Sequence, residues 1–257
     1  MAWVLDLDGV VWLGDQPIPG AAAAVARLRT AGERVLFVTN NSALRLADQE
    51  AKLASQGIPA VGDVVTSAVV AAGLVAPGER VFLCAGAGVE EAVVARGATP
   101  VRDGDADVVV VGFHQDFDYD ELDRASRAVR RGARLLATND DATYPTPAGP
   151  VPGCGAILAA VVTASGVAPV VAGKPYAPMA DHVRALVGPI GVAVGDRPDT
   201  DGRLARSLGF EWVLVLSGVT RTDDLPVEPA PDRVEPDLDA AVDAVLAGEP
   251  SGTMGHP

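Results

Sequence analysis

Asp6 and Asp8, separated by one leucine and followed by Gly9, stand directly after the apolar run Trp3-Val4-Leu5. Carboxylates two apart on a strand face the same way, and their repulsion is relieved by a cation, a shared proton or solvent. Gly9 then lets the backbone turn tightly. Ligands of open α/β sheets collect at the carboxyl ends of strands, so a pair of acids there points to metal-assisted chemistry. Three further polar segments also follow expected strands: Thr39-Asn40-Asn41, Lys174 in Gly173-Lys174-Pro175, and Asp196 with Asp201 in the run GDRPDTD. Each alone has an ordinary explanation as a helix cap or a turn. Together they supply acids, a cation and hydrogen-bond donors, the set that phosphoryl transfer demands.

Strand-like and helix-like stretches alternate along the chain, as parallel α/β architecture requires. Strands are expected at 3–7, 34–38, 80–84, 107–111, 133–138, 170–171 and 191–194, and helices at 21–30, 44–55, 89–95, 119–130, 156–164 and 178–186. A further strand and helix are expected across 64–75, and the last helix and strand of the alternation end near Leu216. The alternation restarts after Pro77-Gly78, which marks an inserted second domain. The Pro-, Gly-, Thr- and Asp-rich stretch 139–155 reads as a long loop of the kind that binds substrate. Beyond Thr220 the composition predicts a tether, a short helix at 238–246 and a disordered tail.

Acidic residues outnumber basic ones 34 to 20 in a chain of 257, for a net charge of −14, and no basic stripe appears. Nucleic acid is therefore not an expected partner. Apolar stretches break well short of the roughly 20 residues of a membrane helix. With no leader-like segment ahead of the first strand, the expected location is cytoplasmic, where Cys84 and Cys154 would be buried free thiols.

The segments DLDGV, TNN, GKP and GDRPDTD, in that order, make the chain resemble the haloacid dehalogenase superfamily. The likeness is to the subfamily IIA branch with an α/β cap of C2 type between the second and third motifs. That branch includes the NagD-like, 4-nitrophenylphosphate, phosphoglycolate, glycerol-3-phosphate and pyridoxal-phosphate phosphatases. The resemblance implies a Rossmann-like parallel-sheet core at 1–79 and 173–220, a cap at 80–172 and a C-terminal segment at 221–257. It further implies hydrolysis of a small phosphorylated metabolite, with Asp6 as nucleophile and Asp8 as general acid and base. Mg2+ would be held by Asp6, Asp196 and the backbone carbonyl of Asp8. Lys174, Thr39 and the amides of Asn40 and Asn41 at a helix N-terminus would bind phosphate. Asp201 would orient Lys174 or a metal-bound water. Phe113 and Tyr144 would face the substrate from the cap; the residue types alone equally suit cap core and surface loop. Leu44, with Arg45 after it, and His114 depart from the branch's usual residues, which leaves the substrate open, as is pairing of two chains through their caps.

Two rivals are a dehalogenase of the same superfamily, which needs neither metal nor acid, and a non-enzymatic phosphometabolite-binding protein. Asp8 and the second acidic segment argue against the first. Intact Asp6, Asp8, Lys174 and Asp196 argue against the second. Gly86-Ala87-Gly88 lacks the third glycine of a dinucleotide fingerprint, and Glu90 and Ala160 stand where a cysteine phosphatase needs arginine. No G-x-S-x-G elbow occurs. His114, His182 and His256 are scattered, with no HExxH or paired Cys-x-x-Cys, so zinc is not expected, and they read as surface histidines.

Overall fold

The computed structural model describes residues 1–146 and 149–248. They divide into two compact units, one formed by 1–39, 50–65 and 180 onward, the other by 40–49 and 66–179.

The first unit holds a six-stranded sheet in the spatial order Arg233–Glu235, Glu211–Val215, Gly191–Gly195, Ala2–Leu5, Arg34–Thr39, Val64–Thr66. Ala2–Leu5 lies at its centre, parallel to both neighbours, with Leu5 opposite Val194 on one side and Phe37 on the other. Its four residues are all buried, the continuous apolar pattern of a strand covered on both faces. Helix Ala21–Thr30 matches its expected bounds. Arg27 on it donates to Asp239 Oδ1 at 2.8 Å, which ties down helix Leu238–Leu246. The expected tether thus includes a sheet strand, Arg233–Glu235, and the expected short helix. The disordered tail expected beyond that helix falls mostly on residues 249–257, outside the described residues.

The second unit carries a five-stranded parallel sheet in the order Val170–Val171, Arg134–Ala137, Val108–Val111, Arg80–Cys84, Thr99–Val101. Four consecutive buried valines form its central strand. Helices Tyr119–Arg130 and Cys154–Ser165 pack on the cluster of Phe82, Val109, Val111, Leu135 and Leu158. Residues 40–49 join this unit because their backbone approaches it closely. A Cβ on Gly88 would stand 2.1 Å from the Leu44 carbonyl oxygen, and Ser42 Oγ meets Thr138 Oγ1 at 2.9 Å.

The expected loop 139–155 instead contains a hairpin, Thr143–Thr146 against Gly149–Pro152, with Tyr144 opposite Val151. No helix among the described residues is long and apolar enough to cross a membrane.

Candidate active site

Parallel pairing at the centre of the first unit's sheet delivers Asp6 and Asp196 side by side. Leu5 registers with Val194, and the Asp6 amide donates to the Val194 carbonyl at 3.0 Å. Thr39 ends the strand on the other side of Ala2–Leu5 and is buried. Asp201 returns to this edge through the π-helical turn Pro198–Gly202, a distortion often found at functional sites. The carboxylates of Asp6, Asp196 and Asp201 offer oxygens all within 4.8 Å of one another, and the three residues are 8, 1 and 4% exposed.

Three buried acids this close repel unless positive charge or donors face them. Two backbone donors do: Val219 N to Asp196 Oδ2 at 2.6 Å and Arg197 N to Asp201 Oδ2 at 3.1 Å. Thr220 Oγ1 donates to the Asp196 carbonyl at 2.6 Å and fixes its backbone. Glycines make the space. A Cβ on Gly9 would lie 2.3 Å from Asp196 Oδ2, and one on Gly218 only 2.0 Å away. Gly9 also adopts φ +85°, a conformation L side chains rarely adopt. Clustered, buried hard carboxylate oxygens are the donor set for a small divalent cation such as Mg2+, and these residues fit one. The Asp201 side chain stands as close to this set as the two expected acids, because the π-helical turn brings it back toward the sheet edge.

Asp8 occupies a different local setting from that read in the sequence. The strand stops at Leu5, not at residue 7, and the Leu7 carbonyl accepts from the amides of Val10, Val11 and Trp12. Strand alternation therefore does not orient Asp8. Trp12 does, donating from Nε1 to Asp8 Oδ1 at 3.0 Å. Lys52 Nζ lies 4.3 Å from the centre of the Trp12 ring. Neither Trp12 nor Lys52 carries a motif signature.

Asn40, Asn41 and Lys174 belong to the second unit. Asn40 clamps the backbone of Lys174 from both sides: its Oδ1 accepts from Lys174 N at 2.8 Å and its Nδ2 donates to Lys174 O at 3.1 Å. Nδ2 also reaches Asp141 Oδ2 at 3.1 Å. The Asn40 carbonyl accepts from Ser67 Oγ and from Asn139 Nδ2, both at 2.8 Å. Gly173 has no room for a side chain, since a Cβ would stand 2.5 Å from Asn40 Oδ1. Lys174 itself is buried. The expected helix N-terminus at Asn40 and Asn41 is not there. Asn41 Oδ1 instead accepts from Ala43 N in a local turn, the helix begins at Leu46, and the Leu46 amide donates to Glu91 Oε2 at 2.7 Å.

Phe113 and Tyr144 stack, with ring centroids 5.2 Å apart and planes 18° from parallel. Phe113 also packs on the second unit's core, and Tyr144 is half-buried in the hairpin. His114 is not a surface histidine: its side chain is 9% exposed and its Nε2 meets Glu121 Oε2 at 2.8 Å. His182 is half-buried, and burial pushes its imidazole below the ordinary range. His256 lies outside the described residues.

A family model described as haloacid dehalogenase-like hydrolase matches residues 3–99, and a HAD-hydrolase-like model matches 171–241. A D-glycerol 3-phosphate phosphatase of Mycobacterium tuberculosis is 40% identical over 229 residues, 86% of this chain; the chain spans 64% of that relative's length. An acid sugar phosphatase of Staphylococcus saprophyticus is 35% identical and is covered over 92% of its length by 90% of this chain. Among solved structures, a 4-nitrophenylphosphatase from Thermotoga maritima superposes with a TM-score of 0.88 at 33% identity, covering 95% of this chain and 97% of that one. A glycerol phosphate phosphatase from Mycobacterium tuberculosis, solved with magnesium, gives 0.85 at 37% identity, over 93% of this chain and 75% of that one. With family models covering well over half its length and a relative matched almost end to end, the chain belongs to the haloacid dehalogenase-like hydrolases.

Proposed function

We propose that this protein is a magnesium-dependent phosphatase of small phosphate monoesters that works through an aspartyl-phosphate. The observation that carries the reading is the buried convergence of Asp6, Asp196 and Asp201 at the carboxyl edge of a parallel sheet. The relatives' names support a substrate in the range of glycerol phosphate, sugar phosphates and nitrophenyl phosphate.

Asp6, a carboxylate ionised at neutral pH, attacks phosphorus without needing a base. The bond from phosphorus to the ester oxygen breaks, and Asp8 gives its proton to that oxygen. Asp8 then takes a proton from the water that attacks the phospho-aspartate, which releases inorganic phosphate and restores Asp6. Such proton transfers account for about 10² to 10⁴ in rate, so the larger share rests on cancelling phosphate charge. Magnesium, held by Asp6, Asp196 and Asp201 with the Asp8 carbonyl, supplies the main countercharge when bound. Lys174 adds a second cation, while Thr39 and the backbone of Asn40 and Asn41 orient the phosphate oxygens. The segment 80–172 acts as the cap that selects the leaving group, with Phe113 and Tyr144 as the selecting surface. Buried, unpaired Cys84 and Cys154 suit a cytosolic, reducing setting.

Phosphate release from a panel of phosphorylated polyols, sugars, nucleotides and pyridoxal phosphate, with magnesium and with EDTA, tests the reading. Magnesium-dependent turnover of several members is expected, with Phe113→Ala and Tyr144→Ala changing their ranking more than activity on 4-nitrophenyl phosphate. Turnover that survives EDTA, or none on any ester, overturns it; release of halide from a haloacid would favour the dehalogenase.

A further inference from the structure

We propose that Cys84, His114 and Glu121 form a binding site for a borderline divalent cation of the zinc class, separate in its residues from the carboxylate set of Asp6. Three separate segments supply it: the end of strand Arg80–Cys84, the loop after Val108–Val111, and the first turn of helix Tyr119–Arg130. Their thiol, imidazole and carboxylate atoms all lie within 4.8 Å of one another. Around tetrahedral zinc, bonds of about 2.0–2.3 Å put neighbouring ligand atoms roughly 3.3–3.8 Å apart. On binding, the three side chains would draw together to that spacing.

The imidazole is held as a ligand histidine is held. His114 Nδ1 meets the Gly112 carbonyl at 3.1 Å, which places a proton on Nδ1 and aims Nε2 at Glu121, the outer contact that typically orients a metal-bound ring. Gly112 sits tightly in place, a Cβ there being 3.0 Å from Ala85 Cβ, and Phe117 meets the imidazole edge-on at 6.0 Å. Glu121 is fixed through its amide, which donates to the Asp118 cap at 2.8 Å. Burial and the nearby Glu121 charge hold the Cys84 thiol far up its range, and those are the surroundings a dication relieves. A cavity of about 300 Å³ reaches His114 and Glu121, with Asp116 and Arg124 also on its wall; Cys84 lies behind it, fully buried.

Without metal, one proton lies between His114 Nε2 and Glu121 Oε2 and another stays on the thiol. Binding exchanges both, so one dication enters and two protons leave, to yield a site of thiolate, neutral imidazole and carboxylate with no net charge. Four-ligand completion by water follows the open-site pattern of three protein ligands.

Cobalt(II) titration of the whole protein, with magnesium in excess to occupy the oxygen-only site, tests this. A near-ultraviolet thiolate-to-cobalt charge-transfer band should saturate at one equivalent, disappear on adding zinc, and release two protons per ion in buffers of differing ionisation heat. Cys84→Ser should abolish the band and His114→Ala should weaken cobalt binding about tenfold or more, while Cys154→Ser keeps both. Far-ultraviolet circular dichroism checks that each variant folds; if Cys84→Ser does not, the wild-type spectrum together with His114→Ala and Cys154→Ser decides. Cobalt bound without a thiolate band, or a band that follows Cys154 instead of Cys84, overturns the proposal.

Discussion

Trp12 Nε1 donates to Asp8 Oδ1 at 3.0 Å, so the second acid of the first motif is steered by an indole four residues later. Lys52 holds that indole, with Nζ over its ring and bonded to the Gly14 carbonyl at 2.9 Å. Trp12→Phe retains most of the buried volume and removes the donor. A typical hydrogen bond contributes roughly 0.5–1.5 kcal/mol, so kcat on 4-nitrophenyl phosphate should fall severalfold, to about tenfold at most, with KM little changed. An unaltered kcat would mean that Asp8 is oriented by something else.

Gly218→Ala places a methyl where only 2.0 Å separates it from Asp196 Oδ2. The carboxylate must turn away, and the magnesium concentration for half-maximal activity should rise at least about tenfold. Asp201→Asn should raise the same concentration, since its oxygen stands with those of Asp6 and Asp196; an unchanged value would mean that Asp201 only orients a neighbour. Magnesium titrations of both variants separate these roles.

Asn40 is predicted to act as a latch for the lysine segment. Asn40→Ala removes bonds to both backbone groups of Lys174 and to Asp141, each contributing about 0.5–1.5 kcal/mol. Thermal melting should drop and kcat should fall, both by more than for Asn41→Ala. Asn40→Asp should be worse than alanine, because a carboxylate cannot donate to the Lys174 carbonyl and repels Asp141. Equal behaviour of Asn40→Asp and wild type would remove the latch from the account.

These residues mark what the sequence could and could not disclose. Asp6 and Asp196 are legible because each follows an apolar strand within its own motif. Helices Ala21–Thr30 and Tyr119–Arg130 are legible because glycines and a capping Asp118 punctuate them. Trp12 and Asn40 acquire their roles from hydrogen bonds that no local pattern encodes, Asn40 reaching a backbone 134 residues away. Asp201 is named by its motif, but its place beside the other two acids comes from the π-helical turn, and Cys84, His114 and Glu121 meet only after three elements pack. Short strands such as Thr99–Val101 and Arg233–Glu235 were illegible for a different reason: both are polar or proline-bearing and form because a neighbouring strand offers its ladder.

His114 gives the stability of the metal-free protein a pH signature. Burial pushes its imidazole down, but the bond to Glu121, the Gly112 carbonyl and the charges of Glu121 and Asp116 outweigh it and leave the group above its ordinary value. A raised value in the folded state means the contribution is complete below the unfolded value of about 6.5 and is lost as pH rises through the folded one. The stability difference between wild type and His114→Gln, from denaturant melts in chelator, should therefore shrink as pH rises past neutrality. A difference that stays level across that window would contradict the buried ion pair.

The most direct measurement of the central claim is acid quenching of the enzyme during turnover of 4-nitrophenyl phosphate with magnesium, followed by peptide mass analysis. One hydroxylamine-labile phosphoryl group should appear on the peptide containing Asp6, and neither the group nor the turnover should survive in Asp6→Asn. Undiminished hydrolysis by Asp6→Asn, or a phosphoryl group carried on another peptide, would contradict the assignment of Asp6 as the attacking carboxylate.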